Sequence, residues 1–226
     1  KQDIELSLQA GFNGARLHQK VFEERFYYWA DKLGYLTWGE APSWGLDANA
    51  VEAARNFITE WRNLVVRDIN HPSIVTWTPF NEEFWPDQTQ FPRFVNDVYT
   101  LTKQLDPSRP VNTVSGGIQI LTDIWTEHHY EQDPARLKEI IYDGGKMFVR
   151  GPSIQERHRG NVGFNRPVLS DPFTFPRYDG SIPYILDEFG GIKCMEANPS
   201  KDGAWGYGSA PQTKEEFYQR LEGQVR

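Results

Sequence analysis

The feature that most constrains this chain is a rhythm. Helical stretches alternate with short apolar runs, and nearly every run ends on a polar or ionisable residue. Gln2 to Ala10 carries Ile4, Leu6 and Leu8 and stops at Gly11, and Gly14 to Leu17 then has room only for a short strand. Glu23 to Leu33 is an amphipathic helix closed by Gly34, followed by a strand over Tyr35 to Trp38. Ala48 to Asp68 places Val51, Ala54, Phe57, Ile58, Trp61, Leu64 and Val65 near helical spacing; His71-Pro72 ends it, and Ile74 to Trp77 is strand-like. Phe91 to Leu105 predicts a helix, with a strand near Val111 to Val114 and a shorter one at Ile124 to Thr126. A helix from Pro134 to about Tyr142, a strand at Tyr184 to Leu186 and a helix from Thr213 to Val225 complete the series. Gly144 to Ser181 and Gly190 to Pro211 lack periodicity and are expected to be long loops.

Strands separated by helices predict a parallel sheet with crossover connections, hence an α/β chain of the (β/α)8 barrel class. About six βα units are visible in 226 residues, against about 250 for a closed barrel. The chain opens and closes on a helix, so the expectation is one incomplete barrel domain over residues 1–226, lacking its first and last strands. An unclosed barrel exposes strand edges, which a homo-oligomer would cover.

The strand tips carry the functional argument. In order they are Arg16 and His18, Glu40, Asn81 and Glu82, Asn112 and Ser115, His128 and Tyr130, then Asp187 and Glu188. In parallel barrels such tips converge on one face, where active sites are built. Two carboxylates at one centre suit cleavage of a glycosidic bond, one protonated to release the leaving oxygen and one ionised to attack the anomeric carbon. Glu82 and Glu188 are the expected pair, with Asn81 on a sugar hydroxyl, Tyr130 donating to Glu188 and Arg16 holding it by charge. Glu83 is expected at the surface, capping the next helix, since adjacent strand residues face opposite sides.

Charge and composition narrow the partners. The net charge of −7 argues against nucleic acid and anionic membranes, which need clustered Lys and Arg. The chain begins on a charged stretch without a long apolar run, so no membrane span or targeting segment is expected and the compartment is left open. Cys194 has no partner cysteine, and five histidines, two of them adjacent, are a thin supply for a metal at barrel tips; no metal or cofactor is expected. Trp44, Trp125 and Trp205 are candidates for stacking on sugar rings, with packing as the competing role. Arg150, Arg157 and Arg159 sit in the longer loop, where an acidic substrate or plain solvation would suit them.

Asn70-His71-Pro72-Ser73-Ile74, followed by Trp77, Asn81 and Glu82, resembles the fourth-strand signature of glycoside hydrolase family 2, the β-galactosidase/β-glucuronidase family. Gly11-Phe12-Asn13 through Arg16, Leu17 and His18 is similar to its second strand. Asp31, Leu33-Gly34 and Glu40-Ala41-Pro42 are similar to the helix and third strand that follow. Asp106 to Val111 resembles the approach to the fifth strand, His129-Tyr130 with Asp133-Pro134 the sixth, and Glu188-Phe189-Gly190-Gly191 the seventh. The resemblance implies a retaining, exo-acting β-glycosidase of β-galactosidase type, with Glu82 as acid/base and Glu188 as nucleophile. Arg16, His18, Glu40, Trp44, Asn81, His128, Tyr130 and Trp205 would then bind an oligosaccharide or β-glycoside substrate. It also implies carboxyl groups about 5 Å apart. The sequence departs from the family at Asp187, where Ser is commoner, and at Pro79-Phe80, where the approach to Asn81 usually contains Gly. The competing expectation is a truncated barrel that binds sugar without turnover.

Overall fold

The computed structural model describes residues 1–83, 90–117, 119–143, 146–147, 178–193 and 206–225. They fall into two compact units, one of residues 1–126 and 163–185, the other of residues 127–162 and 186–226. Trp205, Arg150, Arg157, Arg159 and Cys194 lie outside the described residues, as does most of the loop expected between Gly144 and Ser181.

The first unit begins with α1 (Gln2–Gln9), β1 (Gly14–Arg16), α2 (Glu24–Leu33), β2 (Leu36–Glu40), α3 (Val51–Asp68) and β3 (Ile74–Thr78). Then come β4 (Phe80–Asn81), α4 (Phe91–Leu105) and β5 (Val114–Ser115). β1, β2 and β3 form a parallel sheet in that order, with Arg16 opposite Trp38 and Glu40 opposite Thr78. β4 pairs in parallel with β5, matching Asn81 to Ser115. Pro79, which has no N–H to give a ladder, separates β3 from β4. The run from Ile74 to Asn81 nevertheless has neighbours on both sides, because Trp77 bonds through its backbone to Pro110 and Asn112.

The helices are placed by their apolar faces. Phe57, Trp61, Leu64 and Val65 of α3 are buried at helical spacing, and α4 buries Phe91, Phe94, Val95, Val98 and Thr102 in the same way. Both faces enter one core with Ile74, Trp77, Phe80, Val111 and Val114 of the sheet. Fully burying each such side chain is worth about 1.5–3 kcal/mol. The indole N–H groups are satisfied as they go under, Trp61 by Thr102 Oγ1 at 2.8 Å and Trp77 by Asp106 Oδ2 at 2.8 Å. α2 stops where expected: Gly34 takes a left-handed φ of 68° and returns its N–H to Ala30.

Two clamps sit away from the strand tips. Asp106 accepts from Trp77, Ser108 and Arg109, while Arg109 donates to the carbonyls of Ile74 and His71. Asp31 accepts from His71 Nδ1 at 2.7 Å and from the Ser73 N–H at 2.9 Å, tying α2 to the start of β3.

β6 (Trp125–His129) pairs with β9 (Tyr184–Phe189), and both strands run from the first unit into the second. The second unit also holds α5 (Pro134–Ile141), a short antiparallel pair of β7 (Tyr142–Asp143) with β8 (Lys146–Met147), and α6 (Lys214–Val225). An isolated bridge joins Ile192 to Tyr207, so part of the expected second loop is anchored to itself.

Among the described residues the strands form one three-stranded and three two-stranded sheets, and no closed barrel. Strand 111–114 is shorter than expected for a local reason. Side chains take its backbone donors: Asp123 Oδ2 accepts from the Val111 N–H and Thr122 Oγ1 from the Thr113 N–H. Only an isolated bridge from Val111 to Trp77 and the two residues of β5 remain ladder-like. No helix of the described residues is long and apolar enough to cross a membrane.

Candidate active site

In the first unit the tips of β1, β2 and β4 meet. Arg16 Nη1 donates to Glu40 Oε2 at 2.8 Å and to Asn81 Oδ1 at 3.0 Å, joining three strand ends with one guanidinium. The carboxylate that Arg16 pairs with is thus Glu40. Glu40 is fully buried, so this ion pair sits where water screens it poorly and where either charge alone would be costly. His18 lies beside it, with Nδ1 3.1 Å from Arg16 Nη2 and 3.7 Å from Glu40 Oε1, and half of its side chain open to solvent.

A residue without any sequence signal organises this corner. Gln19 stands at a left-handed φ of 49°, its N–H on Glu40 Oε1 at 2.8 Å. Its side-chain Oε1 accepts from the N–H groups of Ser43 and Trp44 at 2.8 and 3.0 Å. That fixes the loop after β2, and Trp44 presents its indole with 61% of the residue exposed. The Trp44 Nε1 donates to the Asn81 carbonyl at 2.9 Å, and its ring meets His18 edge-on. An exposed aromatic face held rigidly from both ends is the kind of surface that stacks on a sugar ring.

Glu82 follows β4 at φ 50°, a left-handed conformation uncommon outside glycine and enriched at functional sites. Its N–H donates to the Ser115 carbonyl at 2.8 Å, so the strained residue is held from behind while its half-buried side chain lies in the turn.

Glu83 differs from expectation. It is only 1% exposed rather than at the surface, because the turn at Glu82 breaks the two-sided alternation of an extended strand. Burial pushes its carboxyl up to about 8, against a hydrogen bond from Ser43 that acts the other way.

The second unit contributes the ends of β6 and β9. Tyr130 donates its hydroxyl to Glu188 Oε2. His128 is fully buried, with Nδ1 3.5 Å from Glu188 Oε2 and Nε2 3.3 Å from Asp187 Oδ1. Asp187 is nearly buried too, whereas the Glu188 side chain keeps 23% exposure. Tyr207 stacks on Tyr130 at 3.8 Å with ring planes 8° apart, and Gly191 lies against the Tyr207 ring. Gln132 closes the corner by donating to the Gly190 carbonyl at 2.7 Å. Tyr207 and Gln132 carried no signal in the sequence, since their partners are remote along the chain.

Two other tip residues serve structure. Asn112 is fully buried, and its Nδ2 donates to Gln119, Thr126 and the Ile124 carbonyl. Trp125 is buried and packs on Tyr178, a packing role and not an open sugar platform. Glu82 in the first unit, and His128 and Glu188 in the second, each offer an atom able to ligate a metal.

The family model described as Glycosyl hydrolases family 2, TIM barrel domain, matches residues 1–155. A putative β-glucuronidase of Formosa agariphila is 32% identical over 120 residues, which are 48% of this chain and 14% of that protein. A β-galactosidase of Photobacterium profundum is 32% identical over 124 residues, 51% of this chain and 11% of that protein. Among solved structures, a β-galacturonidase of Eisenbergiella tayi bound to galacturonate superposes with a TM-score of 0.65 at 18% identity, covering 99% of this chain and 36% of the other. The likeness at that identity is one of fold.

The chain is therefore of the TIM-barrel class. It belongs to glycoside hydrolase family 2. It spans about 11% to 20% of the length of the first curated relatives it matches.

Proposed function

We propose that this chain carries the catalytic face of a retaining β-glycosidase that removes a terminal sugar, with Glu188 as nucleophile and Glu82 as acid/base. The observation that carries the reading is the setting of Glu188. It is a carboxylate at the end of a strand, partly open to solvent, oriented by the Tyr130 hydroxyl and flanked by His128. A nucleophile needs both the opening and the fixed direction. Glu82 fits the other role better than Glu83, because Glu83 is closed off from solvent and Glu82 is not.

In the first step the Glu188 carboxylate attacks the anomeric carbon, and Glu82 gives its proton to the departing glycosidic oxygen. In the second, Glu82 takes a proton from water, whose oxygen attacks the same carbon and frees Glu188. The sequence requires a carboxyl separation of about 5 Å. The Arg16–Glu40–Asn81 cluster and the Trp44 face supply hydrogen bonds and a stacking surface for the terminal sugar. The activities named for the relatives, β-glucuronidase and β-galactosidase, define the sugars to try first.

The test is turnover of nitrophenyl β-galactoside and β-glucuronide, followed by Glu188→Gly. The variant is expected to lose turnover by at least about 10³-fold. Added azide, attacking from the face that the missing carboxylate vacated, should displace the leaving group in a single inverting step and restore turnover with an α-glycosyl azide as product. An active parent whose variant is not rescued would remove Glu188 from the nucleophile's role.

A further inference from the structure

Glu83 is a buried acid that the two-carboxylate mechanism does not use. It lies one residue beyond Glu82, and three contacts lock it to the same turn. Ser43 hydrogen-bonds its side chain. The same Ser43 Oγ accepts the Asn81 N–H at 3.1 Å, so one hydroxyl ties the Glu83 carboxyl to the residue before Glu82. Gly117 packs so closely over the backbone that a Cβ there would stand 2.8 and 2.9 Å from the Glu83 N and O. The turn is gripped from two further sides, by Trp44 Nε1 on the Asn81 carbonyl and by the Ser115 carbonyl on the Glu82 N–H.

We propose that Glu83 is a positioning residue for the acid/base: its uncharged carboxyl, through Ser43, holds the Asn81–Glu82 turn in place, and ionising it releases that turn. The proposal rests on the assignment of Glu82 given above. In the uncharged form the carboxyl needs no counter-ion and tolerates its buried position. Once ionised it must draw water or a cation, or swing outward, and the Ser43 hydroxyl moves with it. The charged and titratable groups tied to the turn are Glu82 within it and Arg16, which bonds Asn81 and holds Glu40 and His18 beside it. Arg16 is engaged with Glu40 and Asn81. The raised ionisation of the carboxyl, to about 8, places the release in mildly alkaline solution.

The experiment compares the parent protein with Glu83→Gln, which copies the uncharged shape and cannot ionise. The substrate is a dinitrophenyl β-glycoside at saturation: its leaving group departs without a proton, so kcat reports the second step, in which Glu82 takes the proton from water. The parent is expected to lose about tenfold in kcat between pH 7 and pH 9, as ionisation near pH 8 dictates, while kcat of Glu83→Gln changes less than about twofold. Equal decline in both proteins would overturn the proposal. If the parent turns over no glycoside, the glycosidase assignment fails, and the positioning role is read from amide hydrogen exchange of residues 78–83. Exchange rising above pH 8 faster in the parent than in Glu83→Gln, after correction for the base-catalysed trend, supports it; identical exchange overturns it.

Discussion

Replacing Glu83 with Gln should make the protein more stable, by an amount that grows with pH. The carboxyl ionises near 4.5 in an unfolded chain and at about 8 in the folded one, because burial penalises its charge. The folded state therefore holds this proton more tightly than the unfolded state. The resulting stability is fully present below pH 4.5, declines as pH rises, and is lost once pH has passed about 8. At about 1.36 kcal/mol per unit, the loss by pH 7 is about 3 kcal/mol, and above pH 8.5 it approaches about 5 kcal/mol. Against a typical total of about 5–15 kcal/mol, that is a large share. Glutamine removes the whole pH-dependent part while keeping shape and hydrogen-bonding capacity. Urea unfolding of both proteins, followed by tryptophan fluorescence at pH 4.5, 6, 7 and 8.5, reads the difference directly. Curves that coincide at pH 4.5 and separate by about 3 kcal/mol at pH 7 are expected. A constant difference across the range would refute the reasoning, since it would mean that the carboxyl ionises alike in both states.

Asp106 gives the opposite sign. Its hydrogen bonds from Ser108, Trp77 and Arg109 outweigh its burial and hold it down to about 2, so its contribution is present above the ordinary value of 3.8 and lost as pH falls through about 2. Asp106→Asn should cost about 2 kcal/mol at pH 7 and progressively less below pH 4, measured by the same unfolding curves. At the second unit, Tyr130→Phe removes the hydroxyl that orients Glu188 while keeping the stack on Tyr207. The expected result is a fall in kcat of about 10–100-fold with KM nearly unchanged, and an unaltered kcat would take Tyr130 out of the mechanism.

The helices and most strands were legible because their signals are local. Phe57, Trp61, Leu64 and Val65 announce one buried face of α3 by spacing alone, and Gly34 marks the end of α2. The strand tips were legible for a related reason. A short parallel strand must end at the sheet's rim, so Arg16, Glu40, Asn81, Glu82 and Glu188 could be picked out before their neighbours were known. What resisted was everything fixed by a partner far along the chain. Asn112 looks like another rim residue, yet it binds Gln119 and Thr126 inside the core, and nothing near position 112 says so.

Gln19 and Glu83 show why the site's support is harder to read than its chemistry. Both depend on a backbone torsion that periodicity assumes away: φ 49° at Gln19 and φ 50° at Glu82. The first sends a glutamine amide back over Ser43 and Trp44; the second turns an expected surface acid inward, where the Ser43 hydroxyl meets it. Ser43 is thus addressed from Gln19 through its N–H, and from Asn81 and Glu83 through its hydroxyl. One serine couples the loop that carries the exposed Trp44 to the turn that carries Glu82. Any change that displaces Ser43 should disturb the exposed Trp44 face and the proposed proton donor Glu82 together, although neither side chain itself has been altered.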